Sequence, residues 1–217
     1  MKRLRLRQKE ISFTNKLIIL NIILFVILQV LFIINAESLD YVALKPSNIF
    51  QGKMIWTLFT SMFMHANLAH LFVNMVSLFF VGNFVERLIG KKRLAIFYLL
   101  SGIIAGLFFV FLSLVFQAEF DVYAVGASGA IFALAALLMI LIPRLPVLVF
   151  FILPMPLWAA MMVLLFGLWI VSIFAGLPIG NSAHFGGFVC GVLFGTYLRM
   201  KYKQKVKILN TYILGRR

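Results

Sequence analysis

The sequence has 217 residues, of which 64% are hydrophobic and 12% are charged, and its formal net charge is +14. A water-soluble protein of this length needs more polar side chains to cover its surface, so the composition excludes a soluble globular domain. Apolar runs of about 18 residues or more, enough to span a hydrocarbon core of roughly 30 Å, predict an all-α protein that crosses the membrane several times.

The first half of the chain contains three predicted membrane spans. A basic segment, residues 1–16, precedes the first span at residues 17–35. The connection that follows, residues 36–65, is apolar and aromatic with few charges, which predicts a segment lying in the membrane interface. The second span covers residues 66–85, and the third covers residues 94–116.

Three further spans follow in the second half. The fourth covers residues 126–142, and the sixth covers residues 183–202. The fifth covers residues 147–175, and the prolines in residues 154–156 predict that its helix either begins after them or is kinked there. A second basic segment, residues 203–217, follows the sixth span.

The positions of the basic residues predict the orientation of this membrane domain, residues 17–202. Lys and Arg are concentrated in residues 1–16, in residues 203–217 and in the connections after the second and fourth spans. Short basic segments stay on the cytoplasmic side, so we expect both termini in the cytoplasm and a multi-pass protein of the plasma or inner membrane. The distribution favours anionic lipid head groups over nucleic acid as the partner of the basic segments.

Four polar side chains fall at similar depths on three of the predicted spans. His70 and Asn74 share one face of the second span, Ser128 begins the fourth, and His184 lies near the start of the sixth. Even-numbered spans run inwards, which puts each of these residues within about 5–15 Å of the outer boundary. Because polar groups at membrane depth are costly, their shared depth predicts one functional site.

The residue types in this set suit acyl transfer. A neutral imidazole is the usual base for a serine nucleophile, so His184 could activate Ser128. His70, Asn74 and the backbone N–H of Ser128 could donate hydrogen bonds to the oxyanion that forms. Without an acidic residue inside the spans to orient the histidine, the catalytic unit would be a Ser–His dyad. Taken alone, Ser128 is more typical of a packing or backbone-bonding residue.

Small residues at a spacing of four predict close helix packing on the sixth span. Gly187, Gly191 and Gly195 form one line there. Such a line lets two helix backbones approach each other, and it would bring the sixth span, and with it His184, close to the fourth span.

Three motifs resemble those of the rhomboid intramembrane serine proteases and stand in the order of that family. They are HANLAHLFVNM at residues 65–75, GASG at residues 126–129 and AHFGGFVCG at residues 183–191. They match H-x-x-x-x-H-x-x-x-N, G-x-S-G and A-H-x-x-G-x-x-x-G in full. ERLIG, at residues 86–90, is similar to the family's acidic–basic stretch after the second span. The resemblance covers all six spans and implies a six-helix rhomboid bundle.

The resemblance also implies a role for each residue of the candidate site. Ser128 would be the nucleophile and His184 its base, while His70, Asn74 and the Ser128 N–H would form the oxyanion hole. Supporting roles would fall to Gly126, Gly129, Phe132, His65, Gly187 and Gly191.

Further implications concern the surroundings of the site. Phe132 would pack against the catalytic histidine. Apart from the resemblance, we interpret His65 as a structural residue whose hydrogen bonds position the interfacial connection. That connection, with Trp56, would lie against the second and fifth spans. The family commonly has Trp–Arg where this chain has Trp56–Thr57. Substrate would approach laterally from the bilayer, past the fifth span or the loop after it.

By resemblance, the chain is an intramembrane serine endopeptidase that hydrolyses peptide bonds in or next to transmembrane segments of other membrane proteins. We expect no cofactor and no metal, because H-E-x-x-H is absent and no carboxylate lies near the histidines. A catalytically inactive rhomboid-like protein that binds transmembrane clients and a small-solute transporter remain as alternatives. The presence of both Ser128 and His184 favours the enzyme, and the sequence leaves the oligomeric state open.

Overall fold

The structure is a computed structural model that describes residues 11–115, 117–149, 152–176 and 179–215. Most of the basic segment predicted at residues 1–16 lies outside these residues. The helices are α1 (Phe13–Ile34), α2 (Pro46–Phe50), α3 (Thr57–Thr60), α4 (Leu68–Ser77), α5 (Asn83–Ile89), α6 (Lys91–Leu112), α7 (Ser128–Leu141), α8 (Leu157–Ala175), α9 (Asn181–Lys201) and α10 (Lys203–Leu214). The two strands are β1 (Pro146–Val149) and β2 (Leu153–Pro156).

Four helical stretches among the described residues are long and apolar enough to cross a membrane. They are α1, α6, α8 and the continuous stretch Leu68–Ile89, in which the π-helical turn Leu78–Gly82 joins α4 to α5. The remaining two predicted spans correspond to α7, which is apolar but has 14 residues, and to α9, which has 21 residues and a more polar composition. The protein is therefore a mostly helical, multi-pass membrane protein, and the count of six spans stays a prediction.

Within the described part of the fifth predicted span, residues 147–149 and 152–175, only the second part is helical. Strands β1 and β2 pair antiparallel, with Pro146 opposite Pro156. Prolines lack the N–H that a helix interior needs, so the helix begins after the last of them, at Leu157. The N–H of Leu157 donates to the carbonyl oxygen of Leu145 at 2.8 Å, which holds the hairpin against the start of α8.

Helix α7 lies at the centre of the bundle. Ten of its 14 residues are buried, and α9 and α6 are its main partners. In contrast, α1 and α8 expose rows of large apolar side chains, as expected of helices that face lipid. The central position of α7 places its first residue, Ser128, inside the protein rather than at the lipid surface.

The basic segment after the sixth span forms a further helix. Residues 203–214 make up α10, and its apolar side chains Val206, Leu209 and Ile213 pack against the core. Asn210 fixes the helix to the end of α7, since its Nδ2 donates to the carbonyl oxygen of Leu141 at 2.7 Å. The division into a membrane domain at residues 17–202 and a basic tail at residues 203–217 stays a prediction, and the tail is helical over Lys203–Leu214.

Candidate active site

The shortest side-chain contact in the predicted set joins Ser128 to His184. The Nε2 atom of His184 lies 2.8 Å from the Oγ atom of Ser128. Ser128 is the first residue of α7 and is half-buried, whereas His184 lies in the first turn of α9 and is 8% exposed. At this distance the serine hydroxyl can donate its hydrogen to a neutral imidazole, which is the arrangement that activates a serine nucleophile.

The glycine line on α9 allows this contact. A Cβ atom on Gly187 would overlap the backbone carbonyl of Gly129, and one on Gly191 would overlap that of Ala133. Gly129 itself faces α6, where a Cβ would lie 2.7 Å from the Cβ of Ala105. The backbones of α7 and α9 therefore touch at the level of the site, as small residues at a spacing of four permit.

The imidazole of His184 is held on one face by an aromatic ring. Phe132, one helical turn after Ser128, stacks on it with ring centroids 4.5 Å apart and an interplanar angle of 14°. Among the described residues, the Nδ1 atom of His184 has no hydrogen-bond partner. The stacking restricts rotation of the imidazole, and within the described residues no carboxylate bonds to this ring.

Helix α4 brings His70 and Asn74 to the same place. The side chain of Asn67, which sequence reasoning missed, caps the helix by accepting a hydrogen bond from the His70 N–H at 2.8 Å. Asn74 is buried, and its Nδ2 donates to the carbonyl oxygen of His70 at 2.9 Å. An amide nitrogen carries two hydrogens, so the second N–H of Asn74 can still serve as a donor in the site.

Gly126 is where the chain that leads to Ser128 meets the ring of His70. Its φ is +117°, a conformation that favours glycine, and a Cβ there would lie 2.8 Å from the Cε1 atom of His70. The N–H of Gly126 donates to the carbonyl oxygen of Ser61 at 2.9 Å. This turn sets the entry of α7, whose first N–H groups, including that of Ser128, have no partner within the helix.

His65 lies directly behind His70. It is 1% exposed, and the two rings meet edge to face with centroids 5.2 Å apart. Burial, together with the smaller effect of the neighbouring His70, lowers the pKa of His65 to about 4. His65 therefore stays neutral at physiological pH, and its role in positioning the interfacial connection stays a prediction.

The interfacial connection, residues 36–65, packs in part against α6. Leu44 and Leu58 contact the buried face of that helix around Phe109, next to the glycines of α6. The end of the connection reaches the second span, where His65 meets His70. The expectation that the connection lies against the second and fifth spans stays a prediction. The indole Nε1 of Trp56 donates to the carbonyl oxygen of Tyr41 at 2.9 Å, so this tryptophan is bonded within the connection itself.

The connection also braces the loop that precedes Ser128, a contact that sequence reasoning missed. Leu44 and Ala124 exchange two backbone hydrogen bonds, of 3.1 and 2.8 Å. The hydroxyl of Tyr123 donates to the carboxylate of Asp40 at 2.5 Å, and this bond raises the pKa of Tyr123 to about 12. Backbone pairing of this kind leaves no pattern in side-chain chemistry.

A second contact that sequence reasoning missed ties the same loop to α9. The hydroxyl of Ser182 donates to the carboxylate of Glu119 at 2.5 Å. Partial burial raises the pKa of Glu119, and the bond from Ser182 opposes this shift. Ser182 is fully buried two residues before His184, so the bond fixes the turn that carries the histidine. Among the described residues, no group of three His, Cys, Asp or Glu side chains could hold a metal ion.

Comparisons with known proteins agree with this fold. RHOMBOID-like protein 1 of Arabidopsis thaliana is 34% identical over 155 residues, which are 70% of this chain and 37% of that protein. Inactive RHOMBOID-like protein 8 of the same plant is 39% identical over 77 residues, 35% of this chain and 22% of that protein. Rhomboid protease GluP of Bacillus subtilis (strain 168) is 35% identical over 129 residues, 58% of this chain and 24% of that protein.

The matches cover less than half of the length of each of these three relatives. The sequence model of the Rhomboid domain matches residues 52–201, which include α3 to α9 and every residue of the candidate site. The chain therefore belongs to the rhomboid family.

Proposed function

We propose that this protein is an intramembrane serine endopeptidase that cleaves peptide bonds in or next to transmembrane segments of other membrane proteins. The observation that carries the proposal is the 2.8 Å contact between Ser128 Oγ and His184 Nε2 inside a bundle of apolar helices. The family includes proteins named as proteases, which supports the same reaction class.

In the proposed mechanism, Ser128 Oγ attacks the carbonyl carbon of the scissile bond while its proton passes to His184 Nε2. The carbonyl oxygen gains negative charge, which the Ser128 N–H, the free N–H of Asn74 and the His70 imidazole stabilise. The imidazolium of His184 then donates its proton to the leaving nitrogen. Water, deprotonated by the same histidine, hydrolyses the resulting ester and restores the serine.

For the arrangement in the membrane, we propose six spans, formed by α1, the stretch Leu68–Ile89, α6, α7, α8 and α9, with both termini in the cytoplasm of a plasma or inner membrane. In this orientation the site lies in the outer leaflet. The outer half of α8 supports lateral approach of substrate, since its buried residues are confined to Leu157–Leu165 while Ile173 and Phe174 are 74% and 87% exposed.

The test is cleavage of a transmembrane reporter by the purified chain in detergent micelles. Replacing Ser128 or His184 by Ala should lower the rate by roughly 10⁴-fold or more, because the two act as one unit. Ser113→Ala is the matched control, since Ser113 is a buried serine at a helix end that donates only to the carbonyl oxygen of Val110. A Ser128→Ala variant that keeps the rate of the Ser113→Ala variant would refute the mechanism.

Asn74→Ala should lower the rate less, by about 10²–10³-fold, because one oxyanion donor of several is lost. Asn21→Ala is its control: Asn21 is a buried asparagine on α1, and its Nδ2 also donates to a carbonyl oxygen one turn earlier, that of Leu17. Equal rate losses in the two variants would show that Asn74 acts through helix stability alone.

A relative named as inactive supports a second candidate function, in which the protein binds transmembrane clients without cleaving them. The two functions differ in serine reactivity. A client-binding protein should retain its partners equally well in the wild-type chain and in the Ser128→Ala variant, and it should show no serine that reacts with a mechanism-based label.

A further inference from the structure

The inner end of the bundle contains a groove that the proposed catalysis does not use. It has a volume of about 680 Å³ and lies between the end of α7, the last two turns of α9 and one face of α10. We call it the inner groove. The residues that line it are Leu141, Pro143, Arg144, Thr196, Arg199, Met200, Lys203, Val206, Lys207, Asn210, Thr211 and Leu214.

Four cations surround the inner groove without a carboxylate. Arg144, Arg199, Lys203 and Lys207 are all exposed, and no Asp or Glu is among the residues that line the groove. None of the four forms an ion pair with a carboxylate of the described residues. Glu86, which follows the second span, is occupied at the start of α1, where it accepts three hydrogen bonds from Phe13 and Thr14.

Neighbouring lysines on the same segment are engaged elsewhere. The Nζ atoms of Lys201 and Lys205 lie 5.7 and 5.6 Å from the ring centroid of Tyr202, and Lys201 also donates to the hydroxyl of Tyr197 at 2.8 Å. Lys203 and Lys207 stand one helical turn apart on α10 and face the groove. The segment thus separates two lysines that contact aromatic rings from two that remain open to a ligand.

The floor of the groove is apolar. Leu141, Met200, Val206 and Leu214 supply aliphatic surface beneath the cations. Helix α10 packs one apolar side against the bundle and exposes its lysines together with Ile208 and Tyr212. A surface that combines basic, apolar and aromatic side chains is typical of a helix lying in the plane of a membrane surface. A ligand that fits such a groove carries a negative group at one end and a hydrocarbon chain at the other.

We propose that the inner groove binds an anionic glycerophospholipid of the cytoplasmic leaflet, with the phosphodiester among the four cations and an acyl chain on the aliphatic floor. Charge complementarity selects an anionic head group, and the aliphatic floor selects a lipid over free phosphate or nucleic acid. The positive-inside distribution puts this end of the bundle at the leaflet where anionic lipids attract basic segments. The proposal does not depend on the protease activity.

The test is native mass spectrometry of the full chain in detergent, titrated with phosphatidylglycerol or with phosphatidylcholine. Phosphatidylglycerol should bind at least about fivefold more tightly, and Lys207→Gln should weaken it by roughly fivefold, because each cation near the lipid contributes a similar attraction. Lys207→Arg should restore the affinity. Lys205→Gln is the matched control and should leave the affinity unchanged. Arg144→Gln should weaken binding of phosphatidylglycerol by a similar factor. Because Arg144 lies outside α10, this loss cannot result from misfolding of α10.

Several results would overturn the proposal. Equal losses in the Lys205→Gln and Lys207→Gln variants would indicate diffuse attraction to the whole basic segment. Equal affinity for the two lipids would remove the role of the head-group charge. Displacement of phosphatidylglycerol by inorganic phosphate alone would assign the groove to phosphate. Displacement by a short oligonucleotide at a concentration below that of the lipid would assign it to nucleic acid.

Discussion

The two ends of the bundle share helices α7 and α9 but hold their polar groups in opposite ways. At the end that carries the candidate site, which we propose faces outward and call the outer end, Ser128, His184 and Asn74 are buried or half-buried and contact one another or the backbone. At the inner end, the cations of α9 and α10 are exposed and have no carboxylate partner in the described chain. This contrast fits the two proposals, which are chemistry in a protected site at the outer end and contact with an external anion at the inner end.

Helix direction explains part of this difference. The candidate site gathers the first turns of α4, α7 and α9, whereas Arg199 and Lys201 occupy the last turn of α9. The N-terminal end of a helix carries partial positive charge and favours a developing oxyanion, and the C-terminal end favours cations. The same dipoles therefore support an anionic intermediate at one end and basic side chains at the other.

Replacing the glycines of α9 should produce the largest loss of unfolding free energy. This loss should be greatest for the glycines near the outer end. Gly187→Ala places a Cβ on the backbone of Gly129, while Gly195→Ala first meets the Ile140 side chain at 2.9 Å. We expect Gly187→Ala to cost about 2–3 kcal/mol of unfolding free energy and Gly195→Ala less. Gly167→Ala, which meets nothing within 4 Å, is the control for helix propensity. Thermal unfolding in detergent ranks the three, and an equal cost at Gly187 and Gly167 would contradict the packing argument.

The turn before Ser128 should be the next most sensitive feature. Gly126→Ala forces a strained φ of +117° and pushes a methyl group into the ring of His70, so we expect a loss of about 10²-fold in cleavage rate. Gly52→Ala tests a positive-φ glycine that lacks such a contact, because Gly52 has a φ of +71° with nothing within 4 Å of its Cβ position. If both variants lose the same activity, the contact with His70 has no special importance.

Mild acid should destabilise the outer end by a smaller amount. An unfolded histidine titrates near 6.5, while burial lowers the pKa of folded His65 to about 4. The stability that neutral His65 contributes is complete above about pH 6.5 and is lost as the pH falls towards 4. We expect a decrease of roughly 2 kcal/mol between about pH 7 and pH 5, and His65→Phe should reduce this dependence. A thermal unfolding series in which His65→Phe keeps the full acid sensitivity would exclude His65 as its source.

Much of this arrangement was predictable because polar residues are rare inside membrane spans. Ser128, His184, His70 and Asn74 stand out against their apolar neighbours, and the glycine line indicates which helices meet. The capping role of Asn67 could also have been predicted, because an asparagine just before an apolar helical segment is typical of a helix N-cap. The prolines before Leu157 allowed either a kink or a late helix start, and only the structure distinguishes them.

Other features depend on tertiary contacts that no local pattern encodes. The backbone pairing of Leu44 with Ala124 uses groups that every residue has. The bond between Glu119 and Ser182 joins residues 63 positions apart. The local sequence predicts a loop at one of them and the start of a helix at the other, and neither pattern indicates that they meet. The docking of α10 depends on Asn210 reaching the free carbonyl of Leu141 at the end of α7.

The most direct measurement of the proposed Ser128–His184 dyad is the reaction of the purified chain with a fluorophosphonate, followed by intact-mass and peptide mass spectrometry. We expect one adduct, on Ser128, formed at least about 10²-fold more slowly in the His184→Ala variant because the base is lost. An unlabelled wild-type chain, an adduct on another serine, or equal labelling rates with and without His184 would contradict it.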